Sequence, residues 1–106
     1  MTPYIVRRWP SGAITVLLPS TPGSEWPLCL AYDPVGGHGD ADPWLVIRNT
    51  APATAEETVA MRLILAGLGY PAPTPRHRIS RGLVELLRQA HRLQKIRPPQ
   101  KEEATV

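Results

Sequence analysis

The sequence predicts an α+β fold: a small antiparallel sheet of about four strands over residues 4–48, then two helices, about 55–68 and 80–96, packed on one face of it. Three observations predict this. Residues 4–48 hold four short apolar runs separated by proline and glycine, the pattern of strands and turns. Thr54 is followed three residues later by Glu57, a helix-start signature. Beyond Ser80, apolar residues return at three- and four-residue steps.

The first two runs, YIVRRW (4–9) and AITVLL (13–18), are rich in β-branched and aromatic residues. Pro10, Ser11 and Gly12 separate them, so they read as a hairpin with a glycine-containing loop. Residues 19–27, PSTPGSEWP, are turn chemistry. LCLAY (28–32) and WLVIR (44–48) are two further apolar runs of strand length, and DPVGGHGDADPW (33–44) connects them.

The first helix starts at the Thr54/Glu57 capping box, with Glu56 and Glu57 favoured by the positive end of the helix dipole. Its body, VAMRLILAGL, is apolar almost all round, so it is either deeply buried or covered by a partner, and residues 59–68 are a candidate homodimer face. PAPTP (71–75) is a stiff extended connector. Ser80 caps the second helix, with Ile79 and Val84 placed as a hydrophobic staple. Leu83, Leu86, Leu87, Ala90 and Leu93 are expected to share its buried face. The expected domain is 1–97, with 98–106 as a frayed tail.

Composition bounds the function. A chain of 106 residues has room for one modest core. The 13 prolines, against an average of about 5%, argue for short elements and stiff connections. Cys29 is the single cysteine, which excludes an internal disulfide and suits a small buried hydrophobe. No stretch has the run of apolar residues a membrane span needs, and the first residues have no signal-peptide core, so a cytoplasmic protein without membrane partners is expected.

Charge is unevenly placed. Residues 1–75 carry four arginines and six acids, whereas residues 76–97 carry seven arginines and lysines and one acid, Glu85. At about 100° per residue, Arg81, Arg88, Arg92 and Lys95 fall within roughly 60° of one another on the second helix. Arg76 and Arg78 precede it and Arg97 follows it. Such a ridge fits phosphates or an acidic protein surface, though solvated helix faces are also charged. Glu85 can pair with Arg81 or Arg88. Arg7, Arg8 and Trp9 form a secondary candidate, two cations beside an indole on a strand.

His38, Asp40 and Asp42 alternate in the 33–44 connection. They fail as a calcium loop, because Trp44 and Ala51 stand at ligand positions. Paired Cys and His spacings of structural zinc are absent. The trio is expected to be a plain loop that can touch a partner, without a metal. No nucleotide-loop, nucleophile-elbow or metalloprotease motif occurs, so neither a catalytic residue nor a cofactor is expected. The gap from Gly69 to Ser80 is too long for a helix-turn-helix.

Two functional expectations follow. The first is a small non-enzymatic regulator or inhibitor docking on a larger protein or nucleoprotein complex, of the broad type that phages and mobile elements direct at bacterial defence systems. The second is a DNA- or RNA-binding module using residues 76–97. A small enzyme or metal-binding protein ranks third.

Overall fold

A computed structural model describes residues 1–96. The expected tail and Arg97 lie outside the described residues. The α+β class holds, with nine elements: β1 (Thr2–Arg8), β2 (Ile14–Pro22), β3 (Cys29–Asp33), β4 (Gly37–Ala41), α1 (Pro43–Asn49), β5 (Ala51–Pro52), α2 (Ala55–Gly67), β6 (Pro73–Pro75) and α3 (Arg81–Ile96). The sheet runs β4-β3-β2-β1-β5, and β6 joins it in parallel along the first half of β1.

The β1–β2 hairpin forms as its loop chemistry dictates. Ile5 pairs with Leu17 and Arg8 with Ile14, while Gly12 turns the chain at φ +92°. The β2–β3 ladder slips between Leu18 and Pro22. Pro19 and Pro22 have no N–H to donate there. The PAPTP connector is extended, as its prolines require, and becomes strand β6. Arg76 N continues that pairing with a 2.8 Å bond to Tyr4 O.

Two expected elements are corrected. WLVIR is helix α1, not a strand. Asp42 caps it, accepting from Trp44 N at 3.1 Å and Leu45 N at 3.3 Å, and Pro43 occupies the first turn. An aspartate cap followed by proline preorganises a helix start, and this outweighs the strand preference of Trp, Val and Ile. Conversely, GHGDA is not loop but strand β4, paired along its length with β3 from Cys29↔Ala41 to Asp33↔Gly37. The true turn is Pro34–Gly36, closed by Asp33 Oδ1 accepting from Val35 N at 2.8 Å.

The helices do not share one face of the sheet. Tyr4, Val6, Val16 and Leu18 pack with Met61 and Leu65 of α2. Ile5, Leu17, Cys29 and Ala31 pack with Val46 of α1 and Leu87 of α3. These sets alternate along the strands, so α2 covers one face while α1 and α3 cover the other. This explains why β1 is buried from Thr2 through Arg7. A strand flanked by neighbours and roofed on both faces needs a continuous apolar run. Among the described residues no helix is long and apolar enough to cross a membrane.

Helix starts follow the sequence. Thr54 Oγ1 accepts from Glu57 N at 3.1 Å, and Thr54 N donates to Glu57 Oε1 at 2.9 Å, completing the capping box. Ser80 Oγ accepts from Leu83 N at 3.2 Å. α3, however, buries Leu83, Leu87 and His91. Leu86 and Leu93, expected in that buried face, are 51% and 66% exposed. α2 is covered on one side only, leaving Val59 and Leu63, and Leu68 at its C-cap, exposed.

Candidate docking site on the third helix

The site is organised around Trp26, which sits in a tight loop between β2 and β3. Gly23 and Leu28 close that loop, with Gly23 N donating to Leu28 O at 2.9 Å and Leu28 N to Glu25 O at 2.7 Å. Gly23 is buried, and a Cβ there would lie 2.9 Å from Asp40 Oδ1 and 3.0 Å from Leu28 Cβ. Glycine is therefore required by close approach.

Three elements hold the loop from outside. Asp40 on β4 accepts from Ser24 N at 3.2 Å and from the Ser24 hydroxyl. On α3, His91 Nε2 lies 2.6 Å from Leu28 O, and Gln94 Nε2 donates to Gly23 O at 3.1 Å. Trp44 on α1 meets the Trp26 indole edge-on, with centroids 6.1 Å apart. The His91 ring stands at 87° to Trp26, centroids 5.9 Å apart. An indole fixed in this way loses little freedom on binding a partner.

The cations of α3 meet this indole. The Arg88 guanidinium lies over the Trp26 ring, 4.9 Å from its centroid. At an exposed site such a cation–π contact contributes about 0.5–1 kcal/mol. Arg88, Arg92 and Lys95, with Trp26 and His91, line an open hollow of about 260 Å³. Among the described residues no carboxylate lines it. Among the described residues the one ion pair is Arg8 with Glu57, 4.0 Å apart, so Glu85 does not pair with Arg81 or Arg88. Trp26 is 39% exposed.

The expected ridge thus divides. Arg88, Arg92 and Lys95 gather at the hollow. Arg81 is exposed in the first turn of α3, about 10 Å away along the helix axis at 1.5 Å per residue. Arg76 and Arg78 are exposed before it and line a second depression. Past Glu85 and Gln89 on the solvent side of α3 come Leu86 and Leu93, two turns apart and on one line. The exposed surface of the helix therefore carries cations along one border and leucines along the other.

The secondary candidate dissolves. Arg7 is only 7% exposed. Its Nη2 donates to Ile47 O at 3.0 Å and Thr50 O at 2.7 Å, and its Nε donates to Thr50 Oγ1 at 2.9 Å. It satisfies the carbonyls that the end of α1 leaves free. Arg8, one residue on, points to the other face and meets Glu57. Trp9 donates Nε1–H to Thr15 Oγ1 at 2.8 Å and packs against the core on the α1 side.

His38, Asp40 and Asp42 likewise have separate structural tasks. His38 Nε2 lies 2.7 Å from Tyr70 OH, and its ring packs on Tyr32, joining the end of α2 to β4. Asp40 anchors the Trp26 loop, and Asp42 caps α1. Among the described residues no three His, Cys, Asp or Glu side chains gather as a metal site would require.

Sequence reasoning missed Trp26, Trp44, His91 and Gln94. One signal was available: His91 lies four residues after Leu87 and eight after Leu83, on the buried line of the helix. The chain matches no protein-family model, and no curated protein or solved structure is significantly similar to it.

Proposed function

We propose that this chain is a non-enzymatic docking protein, which binds an acidic, partly apolar surface of a larger protein or nucleoprotein complex through α3. One observation carries this reading: Trp26, Arg88, Arg92 and Lys95 form an aromatic–cationic cluster that no carboxylate of the described residues pairs with, on the same exposed helix surface as Leu86 and Leu93. Tryptophan and arginine in fixed, partly desolvated positions are the residues that most often dominate binding energy. Uncompensated cations steer an acidic partner into place.

The exposed leucines favour protein over free nucleic acid. Phosphate and base contacts come from basic, polar and aromatic side chains, and aliphatic side chains gain little against a phosphate backbone. Arg88 also covers the Trp26 ring, where a stacked base would sit.

Affinity capture from the native host tests the reading. Wild-type protein should retain a defined partner after nuclease treatment. Arg88→Glu/Arg92→Glu and Leu86→Ser/Leu93→Ser should each lose it. Capture that disappears with nuclease, or survives both variants, contradicts the proposal. The nucleic-acid alternative is tested by titrating labelled DNA and RNA across salt concentrations, where phosphate binding weakens steeply.

A second reading rests on the exposed Val59 and Leu63 of α2 and Leu68 at its C-cap. They support self-association through residues 59–68. Light scattering over a dilution series should then show a dimer that Leu63→Glu dissociates.

A further inference from the structure

Beside the N-terminal turn of α3 lies an open groove of about 890 Å³. Met1, Pro3, Leu83 and Leu86 give it an apolar lining. Arg76, His77 and Arg78 also line it, against a single acid among the described residues, Glu85. We infer that this groove seats an acidic peptide segment of the partner, with an aliphatic side chain between its carboxylates. The inference rests on the docking role of α3, because Leu86 belongs to both surfaces.

The chemistry of the walls selects that occupant. Apolar floor and cationic border together match a peptide that alternates carboxylates with an aliphatic anchor. A purely anionic chain would leave the exposed Met1 and Leu86 without apolar contact, and a purely apolar one would bury uncompensated guanidinium groups. The helix end adds to the positive field. The first N–H groups of a helix have no intrahelical acceptor, and they carry partial positive charge. Ser80 Oγ takes the N–H of Leu83.

Gly82 points the same way. Glycine in a helix costs about 1 kcal/mol relative to alanine. Yet a Cβ at Gly82 would meet nothing nearer than Ser80 Oγ at 3.8 Å. Internal packing therefore does not demand glycine. The bare position leaves room in the groove wall for a chain to lie against the helix.

The test is fluorescence anisotropy with a labelled peptide of about twelve residues, in which a leucine follows every second glutamate. Wild-type full-length protein should bind it saturably and less tightly as salt rises. Gly82→Phe fills the groove at an exposed helical position, and circular dichroism melts verify that it folds. Gly82→Phe and Arg76→Glu/Arg78→Glu should each weaken binding at least about tenfold, the size expected from blocking a contact or reversing paired charge. A peptide with serine in place of leucine should weaken similarly. Absence of saturable binding, equal binding by the groove variants, or equal binding of the serine peptide overturns the proposal. So does an oligonucleotide that displaces the peptide equally well from wild type and Gly82→Phe. Failure of the docking reading is separate: it is shown by Arg88→Glu/Arg92→Glu retaining the captured partner, whatever the peptide does.

Discussion

His91 Nε2 lies 2.6 Å from the carbonyl oxygen of Leu28. A carbonyl can only accept, so Nε2 carries the proton and His91 donates. The bond crosses from α3 to the turn that carries Trp26, and Gln94 repeats the connection at Gly23 O. Helix and loop are therefore one unit. The cations of α3 and the indole keep a fixed relation, which a docking surface needs more than it needs area.

His91→Ala should cost about 1–3 kcal/mol, the range for leaving a buried acceptor unpaired and removing packed ring atoms. Urea unfolding measures this. Tryptophan emission should move to longer wavelength as Trp26 gains freedom. Unchanged stability and emission would mean that His91 does not hold the loop.

Arg7→Leu should destabilise by about 2–3 kcal/mol, because it strips a charged donor from Ile47 O, Thr50 O and Thr50 Oγ1. Arg7→Lys should recover little, since an ammonium cannot reproduce the planar fork. Binding of a captured partner by the folded fraction should be unaffected. A variant that folds normally but loses the partner would place Arg7 at the interface after all.

Burial pushes the Cys29 thiol up to about 12. At pH 8 the folded protein should resist alkylation by iodoacetamide, because the thiolate is the reacting form. In denaturant the same cysteine should react. Mass spectrometry reads the contrast, and rapid modification of native protein would contradict the burial of β3.

Hydrogen bonds from Thr54, first from its backbone N–H and then from its hydroxyl, hold the Glu57 carboxyl below the usual carboxylate range, with help from Arg8. A depressed folded-state value means the stabilisation is present above the unfolded value and is lost as pH falls through the folded one. The melting-temperature gap between wild type and Glu57→Gln should be widest near pH 7 and close toward pH 3. A gap that widens on acidification would reverse the sign.

Local chemistry was legible in the sequence wherever it was written in a few adjacent residues. The Pro10–Gly12 hairpin, the Thr54/Glu57 box and the Ser80 cap were all readable, and so was the concentration of cations on α3. WLVIR was misread because a five-residue apolar run has no period long enough to distinguish strand from helix. The deciding Asp42-Pro43 pair stood inside what looked like a turn. Arg7 was misread because its burial depends on α1 ending beside β1, a tertiary fact. The Trp26 cluster draws on β4, α1, α3 and the loop itself, and no spacing in the chain announces that meeting. Leu86 and Leu93 fit the apolar repeat of α3, yet the line the helix buries runs through Leu83, Leu87 and His91 and leaves them exposed.

The most direct measurement is photo-crosslinking. Benzoylphenylalanine is placed at position 93, on the leucine border of α3, and separately at position 63 on α2, with nuclease-treated native extract as the source of partner. A discrete nuclease-resistant protein adduct from position 93, suppressed by Arg88→Glu/Arg92→Glu and absent from position 63, is the predicted result. Adducts from position 63 alone, or a position 93 adduct indifferent to Arg88 and Arg92, would contradict docking through the third helix.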